Sequence, residues 1–149
     1  RYFHEHGDRL MARSPIDIIT IVPSSSRPGP HPLETLLGEL PLVVPVVPLL
    51  RRGPGELDWN KPSKDGLVLI STDTPPQRVL LVDDVSTTGA RINSAAYALT
   101  AGGHHLAGAL VVARRLTPEY RGTAELWDAQ TAVPFTWEHG PLVNTRSAG

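Results

Sequence analysis

Two adjacent acids, Asp83 and Asp84, are the residues whose types and placement most directly suggest chemistry. They follow the apolar run Val79–Val82. Such a run is typical of a buried parallel strand, and ligands of open α/β sheets bind just beyond the carboxyl ends of these strands. Ionised carboxylates only accept hydrogen bonds or coordinate cations. The pair therefore suits the vicinal hydroxyls of a ribose, or a metal that bridges ribose and phosphate.

The segment after the acids offers hydrogen-bond donors. It consists of Val85, Ser86, Thr87, Thr88 and Gly89. Successive backbone N–H groups and hydroxyls in such a turn can donate to a phosphate, aided by the N-terminus of a following helix. A helix is predicted over residues 90–101, because Ile92, Ala96 and Leu99 recur at helical spacing before the stop signal Gly102-Gly103. This order of residues predicts a sugar-phosphate site.

Residues 79–90 read VLLVDDVSTTGA, which resembles the phosphoribosyl pyrophosphate (PRPP) motif of type I phosphoribosyltransferases. The resemblance implies that Asp83 and Asp84 are catalytic, holding the 2′- and 3′-hydroxyls of the ribose and stabilising the positive charge that develops on its ring. It also implies that residues 85–89 hold the 5′-phosphate. An ordinary strand, polar turn and helix is the alternative that such a short motif leaves open.

The same resemblance implies the reaction partners. The substrates would be PRPP and a small nitrogenous acceptor, with release of pyrophosphate and with Mg²⁺ as the cofactor. The metal would have no direct protein ligand, or would reach Asp83 and Asp84 through the ribose or water. A homodimer is a further expectation that the family suggests.

A Ser-rich loop follows the first predicted strand, Ile16–Val22. Its candidate pyrophosphate-binding residues are Ser24, Ser25, Ser26 and Arg27. The resemblance assigns pyrophosphate to this loop, and hydroxyls and an Arg fork are suitable donors for phosphate oxygens. Because Ser and Pro cluster in many surface loops, an ordinary turn is the alternative.

Two further sets of residues carry weaker predictions. Arg51 and Arg52 open a long polar segment, predicted as a loop or a small covering element over Arg51–Gly66, that would correspond to the family's mobile flap. Solvated arginines are the alternative there. Trp137 and Glu138 are candidates for the acceptor pocket, through stacking on a base and proton transfer. Burial of the Trp in a core or a lid is the competing interpretation.

Within the family, the spelling of the motif most resembles the ComF-like branch. ComF-like proteins often carry a zinc module with paired cysteines, and this chain contains no Cys. A second departure is Arg91, where many relatives have Thr after the Thr-Gly-Ala. Arg91 is not counted here as a site residue.

Composition argues against nucleic-acid and membrane partners. The 149 residues carry a net charge of −1, with 14 Lys and Arg against 15 Asp and Glu, so a nucleic-acid partner is not expected. The absence of Cys suits a cytoplasmic protein. No apolar stretch approaches the roughly 18 residues of a membrane span, so no membrane partner is expected. A single phosphoribosyltransferase-like domain over residues 1–149 is predicted, with 141–149 as a tail.

Strands that alternate with helices predict an α/β fold with a mostly parallel sheet flanked by helices. The resemblance adds a small hood, which the terminal segments would form. The apolar run Leu42–Leu50 is predicted as an edge strand because Pro45 and Pro48 interrupt it. A helix start is predicted at Thr117, and late strands are predicted at Glu125–Trp127 and Val133–Trp137.

Three functions remain open at this point. The first is a phosphoribosyltransferase acting on PRPP. The second is a non-catalytic module that binds PRPP or a nucleotide and regulates another process, because an intact pocket does not establish turnover. The third is a ComF-like, DNA-uptake-associated protein, which predicts salt-dependent DNA binding and fits poorly with the near-neutral charge.

Overall fold

A computed structural model describes residues 2–24, 29–117, 119 and 122–134. The chain divides into two compact units. One unit, called here the central unit, is Ser14–Arg115, and the other, the terminal unit, combines residues 1–13 with residues 116–149. The single domain over residues 1–149 stays a prediction.

The central unit is built on a parallel sheet with the strand order β1-β4-β5. These strands are β1 (Ile18–Ile21), β4 (Arg78–Ser86) and β5 (His105–Arg114). The first two pair from Ile18↔Val79 to Ile21↔Val82. The apolar run Val79–Val82 of β4 is buried on both faces, as expected for the middle strand of a parallel sheet. The predicted α/β class with a parallel sheet flanked by helices is confirmed.

The apolar run at residues 42–50 lies along the outer edge of β1 without forming a full strand. Val46 makes a single parallel bridge to Ile19, where the Ile19 N–H donates to the Pro45 carbonyl at 2.9 Å and the Val47 N–H donates to the Ile19 carbonyl at 2.8 Å. The prediction of an edge position is therefore right and that of a continuous strand is wrong. Proline has no N–H, so a ladder cannot extend through this run.

A second, antiparallel pair is formed by β2 (Leu50–Arg52) and β3 (Leu67–Leu69). Arg51 pairs with Val68 and Arg52 with Leu67, so both arginines lie on a strand. The prediction that they open a loop is wrong. The connection over residues 53–66 is closed at its base, because the Gly53 N–H donates to the Gly66 carbonyl at 3.0 Å. Strand pairing with a partner some sixteen residues away is not visible in the local pattern.

Helix α3 (Ala90–Ala101) joins the two sheets through a common core. Its bounds agree with the prediction, and it ends at Gly102, followed by Gly103 at a φ of 87°. The buried side chains that pack together are Ile18, Val22, Leu49, Leu50, Leu67, Val79, Leu81, Ala95, Ala98 and Leu99. Burial of each Ile, Val or Leu side chain in this core contributes about 1.5–3 kcal/mol, which makes the core the rigid support of the strand ends.

Three further helices lie in the described part of the chain. Helix α2 (Pro32–Gly38) follows the Ser-rich loop in the central unit. The terminal unit contains α1 (Tyr2–Arg13) and α4 (Thr123–Thr131). The late strand predicted at Glu125–Trp127 is wrong, because these residues lie inside α4, which starts six residues after the predicted start at Thr117. Among the described residues no helix is long and apolar enough to cross a membrane. The hood stays a prediction.

Candidate functional site

The acidic pair lies on the last part of β4. The strand continues past it to Ser86, with Val85 paired to Ala113 and Ser86 to Arg114, so Val85 and Ser86 belong to a strand and only Thr87 to Gly89 form the turn. Adjacent strand residues point to opposite faces. The side chain of Asp83 is accordingly 2% exposed and that of Asp84 is 46% exposed.

Burial sets the electrostatics of Asp83. Removal from water raises the pKa of its carboxyl, and the charge of Arg91 acts in the opposite direction. The neighbouring Asp84 raises the pKa further by like-charge repulsion. The Asp84 backbone N–H donates to Asp83 Oδ1 at 3.1 Å. A buried carboxyl with a raised pKa is typical of functional sites, since such a charge is costly unless a partner compensates it.

Arg91 provides that partner from the first turn of α3. Its Nη2 lies 3.9 Å from Asp83 Oδ1 and donates to the Pro23 carbonyl at 2.8 Å. The Nε of Arg91 is buried and has no hydrogen-bond partner among the described residues. Sequence reasoning did not count Arg91 as a site residue. The available signal was its place two positions after Gly89, where a side chain can point back across the ends of the strands.

His31 approaches the other acid. It is 7% exposed and precedes α2 as the N-cap, where its Nδ1 accepts the Leu33 N–H at 3.1 Å. Since Nδ1 is the acceptor, the ring proton is on Nε2, and Nε2 lies 3.5 Å from Asp84 Oδ2. Sequence reasoning missed His31, because a single His before Pro-Leu-Glu indicates no more than a helix start.

The Ser-rich loop is thus held at both ends beside the acidic pair. It leaves β1 at Pro23, which Arg91 connects to Asp83, and it enters α2 at His31, which faces Asp84. Ser24 lies inside this segment and makes contacts of its own. The other predicted pyrophosphate residues, Ser25, Ser26 and Arg27, lie outside the described residues, and their role stays a prediction.

The predicted phosphate turn depends on Gly89. Its φ of 81° lies in the left-handed region, which side chains rarely adopt, and it starts α3 without a side-chain cap. The first N–H groups of a helix have no partner within the helix. These N–H groups follow the acids within a few residues along the chain, and the N-terminus of a helix can bind an anion.

Not every donor predicted for the phosphate is free. The Val85 N–H donates to Asp84 Oδ1 at 2.7 Å. The Thr88 hydroxyl donates to the Trp59 carbonyl and accepts the Ala90 N–H at 3.4 Å. Phosphate binding through these two residues therefore requires that each exchange an existing hydrogen bond for one to the ligand.

The connection between β2 and β3 packs on α3 next to the turn. The Ser63 N–H donates to Ser94 Oγ at 2.8 Å, and this hydroxyl donates to the Ala90 carbonyl at 2.9 Å. Arg51 and Arg52, predicted to act from a flap, are exposed on β2. The contacts that hold the acidic pair involve other residues. Trp137 and Glu138, the predicted acceptor-pocket residues, lie outside the described residues.

The carboxylate oxygens of the acidic pair suit a magnesium ion that is held mainly by a bound phosphorylated ligand. Mg²⁺ prefers oxygen ligands and commonly uses one or two carboxylates together with substrate phosphates and water. Asp84 offers a half-exposed carboxylate, whereas Asp83 is buried against Arg91. Within the described residues, no group of three or more His, Cys, Asp or Glu could hold a metal ion. The residues fit Mg²⁺ carried by a phosphorylated ligand.

Comparison with solved structures finds a chain that is similar to this one. No model of a known protein family and no curated protein matches the sequence. Among solved structures, the chain is similar to adenine phosphoribosyltransferase from Thermoanaerobacter pseudethanolicus, with 24% identity and a TM-score of 0.48. The match covers 76% of this chain and 66% of that protein, so the chain spans just under two thirds of its length.

Proposed function

We propose that this chain is a phosphoribosyltransferase that binds PRPP with Mg²⁺ and transfers the phosphoribosyl group to a nitrogenous acceptor, releasing pyrophosphate. The observation that carries the proposal is the order of groups at the carboxyl end of β4. There a buried and a half-exposed carboxylate are followed by the last two residues of β4, by a turn that ends at Gly89 and by the N-terminus of α3. This arrangement pairs acceptors for sugar hydroxyls with donors for a phosphate.

The two acids divide the work by their exposure. Asp84, which is 46% exposed, is the acid that a ribose can reach, and it accepts hydrogen bonds from the 2′- and 3′-hydroxyls. Asp83, at 2% exposure, acts over a short distance through its charge in a medium of low dielectric constant. Together they favour the positive charge that develops on the ribose ring as pyrophosphate leaves C1.

The phosphate end of the ligand is held by the turn and the helix. The N–H groups at the start of α3 donate to the 5′-phosphate, and the left-handed Gly89 lets the backbone approach it closely. Bound Mg²⁺ supplies positive charge to the pyrophosphate. The Ser-rich loop between Pro23 and His31 is the place where the pyrophosphate would bind. By fixing both ends of the substrate, the protein lowers the entropic cost of reaching the transition state.

The test is a calorimetric titration of PRPP into the purified chain, with Mg²⁺ and with a chelator, followed by a pyrophosphate-release assay with a panel of bases and amines. Tight binding with release of pyrophosphate supports the proposal and identifies the acceptor class. Binding without release contradicts the transferase proposal for the acceptors tested and favours a regulatory PRPP-binding module. Absence of binding in both conditions contradicts the proposal.

A matched pair of variants makes the result specific. Asp84→Asn removes a charge at the ligand end of β4, and Asp17→Asn removes one near the opposite end, where Asp17 binds Arg78. We expect PRPP affinity to fall in the first variant and to stay unchanged in the second. Equal losses would mean that the effect comes from stability and not from contact with the ligand.

A further inference from the structure

Arg91 is the permanently charged group that lies next to the acidic pair in the described part of the chain. Its Nη2 lies 3.9 Å from Asp83 Oδ1 and is held by the Pro23 carbonyl at 2.8 Å. Its Nε is buried without a hydrogen-bond partner in the described part of the chain. The guanidinium is therefore anchored beside the acids while part of its donor capacity is unused.

The surroundings explain why a cation is placed there. Asp83 and Asp84 are consecutive, and Asp83 is almost completely buried. His31 offers Asp84 a neutral N–H, since its Nδ1 already accepts the Leu33 N–H. Among the described contacts of the pair, Arg91 is the group with a permanent positive charge.

We propose that Arg91 is a positioning residue that supplies part of the positive charge that Mg²⁺ otherwise provides at the acidic pair, and that it couples Asp83 to the loop after β1. This inference rests on the proposed function, because it concerns how strongly PRPP binding depends on Mg²⁺. PRPP is highly anionic, so two uncompensated carboxylates repel it. A fixed cation 3.9 Å from Asp83 reduces that repulsion before any metal is present.

Three substitutions separate charge from the hydrogen bond to Pro23. Arg91→Gln removes the charge and keeps an N–H donor, Arg91→Lys keeps the charge, and Arg91→Thr introduces the residue that the family resemblance places at this position. Arg13→Gln, at an exposed position at the end of α1, is the control for a change in net charge. Thermal melting establishes that each variant is folded.

The first measurement is the ratio of PRPP affinities with Mg²⁺ and with a chelator. We expect Arg91→Gln and Arg91→Thr to raise this ratio about tenfold, which is the scale of one charge interaction at this distance in a partly buried site. Arg91→Lys and Arg13→Gln should leave it close to the unsubstituted value. An unchanged ratio in both neutral variants overturns the inference, and should Arg91→Gln not fold, Arg91→Thr alone decides.

The second measurement needs no PRPP. Binding of Mn²⁺ to the free protein, followed by electron paramagnetic resonance at millimolar Mn²⁺, should be weak in the unsubstituted chain, because only two carboxylates are available there among the described residues. It should tighten about tenfold in the neutral variants, since the acids lose their fixed counter-charge. Unchanged Mn²⁺ affinity overturns the inference about Arg91. If the unsubstituted chain does not bind PRPP at all, the proposed function fails, whereas the Mn²⁺ result still decides whether Arg91 compensates the acids.

Discussion

An Asp and Arg pair lies near each end of strand β4. One pair, called here the closed pair, is joined by hydrogen bonds, and the other, the open pair, is not. At the first residue of β4, Arg78 Nε donates to Asp17 Oδ2 at 3.0 Å and the Arg78 backbone N–H donates to the same oxygen at 2.8 Å. At the other end, Asp83 Oδ1 and Arg91 Nη2 are 3.9 Å apart, and the guanidinium donates its hydrogen bond to the Pro23 carbonyl instead.

The two pairs differ in what they do to the acid. Hydrogen bonds from Arg78 lower the pKa of Asp17 to about 2, in a site open to solvent. Burial raises the pKa of Asp83, because Arg91 is too far away to offset the loss of water. The closed pair fastens β1 to β4, whereas the open pair leaves a charge that a ligand can compensate. A buried carboxyl whose nearest permanent counter-charge among the described residues lies 3.9 Å away is a candidate for a ligand-binding group.

The largest effect should come from breaking the ligand end. We expect Asp84→Asn to weaken PRPP binding about 100-fold in the presence of Mg²⁺, the scale of losing charge-assisted hydrogen bonds. Calorimetric titration measures this loss. Unchanged affinity in Asp84→Asn would remove the acidic pair from the site, and the comparison between the two ends of β4 would lose its functional meaning.

The next effect concerns the turn beside the acids. Gly89→Ala forces a side chain into the left-handed region at a φ of 81°, which costs about 1–2 kcal/mol of folding free energy, and we expect weaker PRPP binding with it. Gly38→Ala is the matched control, because a Cβ there has nothing within 4 Å and Ala is the better helix former. Chemical denaturation and calorimetry measure both properties. Equal stability of the two variants would contradict this prediction.

Asp83→Asn should separate stability from function. A carboxyl whose pKa is raised by folding holds its proton more tightly in the folded state, so stability falls as pH rises from the ordinary Asp value through the raised one. Asp83→Asn removes that loss. We expect it to melt at a higher temperature than the unsubstituted chain at neutral pH, with the difference vanishing in acid, while PRPP binding weakens. A lower melting temperature at neutral pH would show that Asp83 is a structural charge.

The smallest effect is expected at the closed pair, with the opposite sign. The pKa of Asp17 is lowered from 3.8 to about 2, so its contribution to stability is present above the ordinary value and is lost as pH falls through about 2. Asp17→Asn should therefore melt slightly lower at neutral pH and converge with the unsubstituted chain in strong acid. Melting curves across this pH range measure the effect. With PRPP binding unchanged, they would show that the Asp17 and Arg78 pair stabilises the fold without contributing to the site. A rise in melting temperature would contradict it.

Local patterns predicted the elements whose signals are contiguous. Helix α3 has the bounds that its spacing and its Gly stop indicate, Ala90–Ala101. The strand predicted at Glu125–Trp127 is wrong, since three residues carry too little periodicity to separate a strand from the helix observed there. The extension of β4 to Ser86 was not predicted, because it depends on pairing with Arg114.

The candidate site shows the same division. The acids, the turn and the helix start follow one another within a dozen residues, so the sequence by itself determined their order, and from that order the class of ligand is predicted. Only the tertiary structure decided which carboxylate is buried and which residues face each one. Arg91 contacts Pro23 across a separation of 68 positions. His31, the residue before α2, approaches Asp84 on β4. Such contacts arise from packing on a shared core, which a local pattern does not encode.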